Sequence, residues 1–371
     1  MRRPPRILFA GGGTGGHVYP AIAIADALLR LMPEAIVEFA GTRDRMEWTT
    51  VPKAGFAIHP ISIRGFQRGQ PLKNLSLPFR IVLSLRESFA LLKSFQPDIA
   101  VGTGGYVSAP VLLAASLKGL PIVIQEQNAY AGVTNRMLAK RAARIHVAFV
   151  EAKDFLPAEK CVYSGNPTRR ELLVADRIQG RELYKVPSGA FVIAVLGGSL
   201  GSRAINEAIA GNIEALLKDE KTFVIWQSGE RYYDEMKARV GEHPRLRLLE
   251  YIDRMDLTYA AADLALSRAG AITCSELMVT GTPSVLVPSP NVAEDHQTHN
   301  ARSMANSGAA VVLPESEIEM RLKGEVGALR ADPKRLADMA DAARQFARPN
   351  AATHIAQDVL NLIGYEQPEV G

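Results

Sequence analysis

Short apolar runs alternate with stretches of helical periodicity along the chain. The first run, Ile7-Leu8-Phe9-Ala10, ends in glycines. Behind it Ile22, Ala25, Leu28 and Leu29 share one face of a helix predicted over 20–31. Further strands are predicted at 36–40, 57–61, 99–101, 121–124 and 145–149. Strands separated by helical segments imply a parallel sheet built from βαβ units.

The pattern restarts at Phe191. A wholly apolar strand over 191–196 runs into Gly197-Gly198-Ser199-Leu200-Gly201, and a helix is predicted over 204–217. More strands fit 222–226, 246–249, 264–266, 284–287 and 309–313, and 333–363 reads as helical. The expected fold class is α/β, with two Rossmann-like doubly wound parallel-sheet domains. The expected divisions are 1–164 and 188–340, a linker over 165–187, and a C-terminal helix over 341–371. Ligands of such sheets bind beyond the carboxyl ends of the strands.

Length agrees, since 371 residues suit about two domains of roughly 150 residues. A content of 47% hydrophobic and 22% charged residues is that of a globular protein. The two cysteines, Cys161 and Cys274, exclude a disulfide scaffold and fit a reducing compartment. The basic start is not followed by a long apolar run, and no apolar stretch approaches the roughly 18 residues of a membrane-spanning helix. A soluble protein kept inside the cell is therefore expected. The charge balance, 43 basic against 39 acidic residues, is only mildly positive and scattered. With no basic stripe and no reading motif, nucleic acid is not an expected partner.

The chemistry concentrates in glycine loops. Gly11-Gly12-Gly13-Thr14-Gly15-Gly16 lies between a strand and a helix, where backbone amides and the helix terminus suit a phosphate. A dinucleotide would call for an acidic residue at the end of strand two. Glu38 instead falls inside that strand, and a tight turn with no ligand stays open. His17 follows the glycines at once, placed for a general base or for a structural role. The second loop offers amides and the Ser199 hydroxyl to phosphate. Glu276 stands early in a helix after Gly270, suited to vicinal ribose hydroxyls or simply to the helix dipole. His296 and His299 lack a third ligand at metal spacing, and no Asp-x-Asp triplet occurs, so metal-independent chemistry without a cofactor is expected.

These residues, taken in order, resemble the MurG family of bacterial N-acetylglucosaminyltransferases over nearly the whole chain. The resemblance is carried by Gly12-Gly13-Thr14-Gly15-Gly16-His17, Gly102-Thr103-Gly104-Gly105-Tyr106, Glu126-Gln127-Asn128, Gly165-Asn166-Pro167 with Arg169, the second glycine loop, Tyr251-Ile252, the 267–276 stretch and Asp295-His296-Gln297. It implies two Rossmann-like domains facing across a cleft (GT-B), the first taking the acceptor and facing the membrane. The second would take the UDP-sugar, and the C-terminal helix would return towards the first. The reaction implied is inverting transfer of N-acetylglucosamine from UDP-N-acetylglucosamine to the C4 hydroxyl of N-acetylmuramic acid in lipid I, yielding lipid II for peptidoglycan.

By matching motifs, His17 is the candidate base, with Glu126 a competing base or orienting residue. Donor binding would involve Thr14, Gly15, Gly16, Asn128, Arg169, Ser199, Ile252, Ala271, Glu276, His296 and Gln297. The family can carry Gln where His296 stands. The acceptor diphosphate would lie over the Gly13 to Gly16 loop, with Gly104 and Gly105 forming a second glycine bed. Other cell-wall synthesis proteins are candidate partners.

A lipid acceptor draws notice to 64–86, where Leu72, Leu75, Phe79 and Val82 are interleaved with cations including Arg80 and Arg86. That mixture suits shallow insertion into anionic inner-membrane lipid, hence peripheral attachment at the cytoplasmic face. A core helix with a solvated basic face is the other reading. Rival functions are transfer to another lipid acceptor, a UDP-N-acetylglucosamine 2-epimerase, a nicotinamide oxidoreductase and a non-catalytic sugar-nucleotide sensor.

Overall fold

The computed structural model describes residues 3–65 and 76–365. Its chain forms two compact units, one of residues 1–168 with 350–371, the other of 169–349. In the first, the strands are β1 (Arg6–Gly11), β2 (Ile36–Gly41), β3 (Ala57–Pro60), β4 (Ile99–Gly104), β5 (Ile122–Glu126), β6 (Arg144–Val147) and β7 (Cys161–Tyr163). They order as β3-β2-β1-β4-β5-β6-β7, with every ladder parallel. The second unit carries β8 (Phe191–Leu196), β9 (Thr222–Gln227), β10 (Leu246–Leu249), β11 (Leu264–Ser267), β12 (Ser284–Leu286) and β13 (Ala310–Val312). Their order is β10-β9-β8-β11-β12-β13, again parallel. Each sheet reverses direction beside its first strand, between β1 and β4 and between β8 and β11. Both glycine loops leave the sheets at those switch points, where such folds open a crevice.

β1 is apolar on both faces, which is why it sits centrally. Ile7 and Phe9 pack on one side with Val18, Ile24 and Leu28 of the helix Gly15–Leu31. Leu8 and Ala10 pack on the other with Val111 and Leu112. In the second unit Ile193 and Val195 of β8 play the same part with Ile205, Ile209 and Trp226.

Two stretches differ from the sequence-based expectation. The change of unit falls at 168/169, and most of 165–187 is not a free connector. Its helix Arg177–Tyr184 is capped by Asp176 and joined to the second unit by Arg181 on Asp263 and Tyr184 on Thr258. The helical tail is two helices, Pro333–Phe346 and Ala351–Leu362. Pro349 lacks the amide hydrogen a continuous helix needs and pushes its predecessor out of helical geometry. The later helix belongs to the first unit, where Ile355, Ala356, Val359 and Leu360 join the Ile24 and Leu28 cluster. Asp358 there lies 3.1 Å from both His146 and Arg144. Among the described residues no helix is long and apolar enough to cross a membrane.

Candidate functional site

At the first unit's switch point, two glycine-bearing segments interlock. Gly12 donates to the Gly104 carbonyl at 3.3 Å, and a Cβ on Gly105 would collide with the Gly12 carbonyl. Gly13 turns with φ of 88°, which a side chain would resist. Its amide does not face a ligand. It donates to Glu47 Oε2 at 2.9 Å, while Thr42 gives Glu47 Oε1 its amide at 3.1 Å and its hydroxyl at 2.6 Å. Glu47 is fully buried and was not singled out from sequence, because its partners are 5 and 34 positions away. Gly13 therefore shapes the turn, and Thr14, Gly15 and Gly16 follow it at the N-terminus of the helix. Glu38, the residue a dinucleotide would call on, pairs with His59 at 2.6 Å instead.

His17 sits on the first turn of Gly15–Leu31. Its Nδ1 lies 3.0 Å from Gln127 Oε1, and its carbonyl accepts the Thr103 hydroxyl at 2.8 Å. A Cβ on Gly104 would stand 2.8 Å from the imidazole, so only glycine lets the ring lie that close to the backbone. Glu126, the competing base, is 1% exposed, and both its oxygens are engaged. Oε1 accepts from the Asn128 amide at 2.9 Å, and Oε2 accepts from the Gly132 amide at 2.9 Å and Asn135 Nδ2 at 2.8 Å. Those bonds make Glu126 the pin of the turn that carries Asn128.

In the second unit, the loop after β8 closes through Gly201 donating to the Gly198 carbonyl at 2.9 Å, leaving Ser199 exposed at its tip. Ser202 caps the helix Arg203–Leu217, its hydroxyl accepting from the Ile205 amide. Gln227 bridges this loop to the 251–252 segment. It donates to the Gly198 carbonyl at 2.9 Å and accepts the Ile252 amide at 2.8 Å. The Ile252 amide is thus held internally. A cavity of about 930 Å³ opens beside the loop, lined by Gly197, Gly201, Ser202, Arg203, Arg268 and Gln297 among others. Glu276 and Ile252 lie outside that lining.

Gln297 accepts the Ser289 amide at 2.9 Å, and His296 lies with Nδ1 2.8 Å from the Ala293 carbonyl. Both stand at the start of the helix His296–Asn306, entered through Glu294 and Asp295 with φ of 56° and 51°. Two consecutive left-handed non-glycine residues mark a constrained turn of the kind found at binding sites.

Ala271 opens the helix Ala271–Thr280, and Glu276 sits on its second turn, 5% exposed. Tyr259 donates to its Oε2 at 3.2 Å, while Arg169 Nε lies 3.6 Å from Oε1. Oε1 accepts no hydrogen bond from the described residues. Burial pushes this carboxyl above its usual range, against the opposing pull of Arg169 and Tyr259. Burial, then the Glu276 charge, drives the Tyr259 hydroxyl well above its ordinary value, so it stays a donor. Cys274 beside it is buried, its thiol pushed up to about 12, and is no nucleophile. Among the described residues no cluster of His, Cys, Asp or Glu could hold a metal ion.

Phe79 is 72% exposed on the helix Leu77–Phe95, with Ile81, Val82 and Arg86 also exposed and Arg80 half-buried. Leu72 and Leu75 lie outside the described residues.

Two parallel-sheet units with glycine beds at both switch points define a glycosyltransferase once their sequences are compared with known families. The glycosyltransferase family 28 N-terminal domain matches residues 7–147, and the family 28 C-terminal domain matches 192–355. A relative from Salinibacter ruber is 58% identical over 97% of this chain and 97% of its own length. It is named UDP-N-acetylglucosamine–N-acetylmuramyl-(pentapeptide) pyrophosphoryl-undecaprenol N-acetylglucosamine transferase. The crystal structure of Acinetobacter baumannii MurG superposes with a TM-score of 0.79 at 30% identity, covering 96% of this chain and all of that one. A UDP-N-acetylglucosamine 2-epimerase from Listeria monocytogenes shares the fold alone, with a TM-score of 0.70 at 14% identity over 99% of this chain and 98% of its own. The chain belongs to glycosyltransferase family 28, within its MurG group.

Proposed function

We propose that this protein transfers N-acetylglucosamine from UDP-N-acetylglucosamine to the C4 hydroxyl of the N-acetylmuramic acid in lipid I, with inversion. The observation that carries the reading is the 58% identity, end to end, to a transferase of that name. The donor is assigned to the second unit. Glu276, with its unsatisfied Oε1, takes ribose hydroxyls, and Arg169 and the Ile252 carbonyl lie on the uracil side. Ser199 and the loop amides meet the diphosphate, and the Ala271 amide, His296 and Gln297 read the sugar. The acceptor diphosphate is assigned to the first unit, over Thr14, Gly15 and Gly16, with Gly13, Gly104 and Gly105 shaping the bed.

In the chemical step, neutral His17 takes the proton of the acceptor hydroxyl as its oxygen bonds to the anomeric carbon. The bond to UDP breaks with its electron pair, and loop amides stabilise the departing diphosphate. Glu126 orients Asn128 in this scheme, both its oxygens being engaged by the turn that carries it.

Exposed Phe79, Ile81 and Val82 beside Arg80 and Arg86 support shallow attachment to anionic lipid at the cytoplasmic face of the inner membrane. Stronger binding to anionic than to neutral vesicles, weakened by Phe79→Ser, is the expected signature; binding indifferent to both removes this patch.

The test of the reaction is transfer of labelled N-acetylglucosamine to a lipid I analogue in EDTA, with an acceptor-free control. Acceptor-dependent product is expected. UDP release or UDP-N-acetylmannosamine formed without acceptor would mean hydrolase or epimerase chemistry on the same fold.

A further inference from the structure

Gln125 and Gln127 stand two residues apart at the end of β5 and its extension, both buried. A glutamine amide presents an oxygen and a nitrogen of nearly equal shape, so its neighbours decide which faces which way. Here backbone carbonyls, which only accept, settle the whole chain of amides. Asn166 Nδ2 donates to the Gln127 carbonyl at 3.0 Å, which turns Asn166 Oδ1 towards Gln125 Nε2 at 2.8 Å. Gln125 is thereby fixed with its Oε1 towards Gln127 Nε2. The same Gln127 nitrogen donates to the Thr103 carbonyl at 2.7 Å. Reversing Gln127 would put its oxygen against the Thr103 and Gln125 carbonyls and the Gln125 side-chain oxygen together. Its Oε1 is therefore the atom that meets His17 Nδ1 at 3.0 Å. An amide oxygen cannot donate, so the hydrogen in that contact belongs to the imidazole.

We infer that Gln127, locked by Gln125 and Asn166, holds His17 in the tautomer protonated on Nδ1 and is thereby a positioning residue of the transfer reaction. A neutral imidazole has one proton and one basic lone pair, so placing the proton on Nδ1 places the lone pair on Nε2. Free histidine prefers the opposite tautomer. Without an acceptor at Nδ1 the ring would carry its proton mainly on Nε2 and could not take another there. The close approach of the ring to Gly104 fixes its plane, while Gln127 fixes its protonation. The functional half of this inference rests on His17 being the base; the tautomer itself does not.

The experiment is nitrogen NMR of the full chain labelled at histidine, with the His17 signals identified by their loss in His17→Ala. Spectra are recorded at a pH where the ring is neutral. The expected wild-type pattern is a protonated Nδ1 and an unprotonated Nε2. In Gln127→Met, close in size and without a strong acceptor, that pattern should be lost. There kcat should fall roughly tenfold or more with donor affinity unchanged, while the melting temperature drops because the Thr103 and Gln125 acceptors lose their donor. The fall should stop short of the loss of about 10²–10⁴ expected when a general base is removed. Protonated Nε2 in the wild type, or an unchanged pattern in Gln127→Met, overturns the inference. A tautomer that moves while kcat does not would uphold Gln127's control of the ring and overturn His17 as base.

Discussion

Glu276 combines two demands that pull against each other. Its burial under Tyr259 raises the carboxyl's pKa above the usual range, so ionised Glu276 weighs against the empty folded state at neutral pH. For a group raised on folding, the stabilising contribution is present below the unfolded value, near 4.3, and is lost as pH rises through the folded value. Glu276→Gln copies the protonated form. It should raise the melting temperature at pH 7 and weaken UDP-N-acetylglucosamine binding on the order of tenfold, because an amide replaces the charged acceptor. Calorimetry and donor titration on one preparation check both signs, and unchanged donor affinity would end the ribose assignment. Glu276 was legible in the sequence because its place after Gly270 is local. Glu47, Gln127 and Gln227 were not, for each acquires its role from a partner on another strand or loop.

At the level of elements, the first glycine loop is a clamped turn and not an open row of amides. Gly13 is held by Glu47, Glu47 is held by Thr42, and the 102–105 segment wedges against Gly12. Glu47→Ala would strand three hydrogen-bond donors and leave a hole in a fully buried place. A loss of about 2–4 kcal/mol follows, readable as a lower urea midpoint, with turnover reduced further than stability alone explains. An unchanged midpoint would mean that the loop does not depend on this clamp. The strand–glycine–helix order predicted an anion bed, and that order is present. Which amides stay free of an internal partner depended on a carboxylate from the helix Glu47–Lys53, whose approach no local pattern encodes.

For the molecule as a whole, the chain crosses from the first unit to the second and then returns. Its last helix completes the first unit's core with Ile355, Val359 and Leu360, all fully buried. At about 1.5–3 kcal/mol for each such side chain, they supply roughly 5–9 kcal/mol, comparable with the whole stability of a domain. Ending the chain at Pro349 should therefore leave the first unit unfolded or aggregating. The second unit, complete by that point, should still melt cooperatively and bind UDP. Limited proteolysis with UDP-affinity capture reads both, and a stable, active truncation would refute this account of the tail. The tail's helical character was legible from its periodicity. Its division at Pro349 reflects the missing amide there, and its destination follows from which apolar surface remained uncovered.

What the sequence determined by itself is what short-range physics controls. Apolar runs of strand length between helical stretches set two parallel sheets, glycines set the turns at their first strands, His17 stands at the first of those turns, and Glu276 falls on the second turn of the helix after Gly270. The edge strand β7, short and half-buried among charged neighbours, left no such periodic signal. Tertiary structure alone decided how the polar groups are shared out. It committed Gly13 to Glu47, both Glu126 oxygens to its own turn, Gln227 to Ile252, and Gln127 to His17. Hydrogen bonds of buried groups must be satisfied wherever partners exist. Those partners come from strands and loops far apart in the chain, so only the folded protein states which donor and which acceptor remain for a substrate.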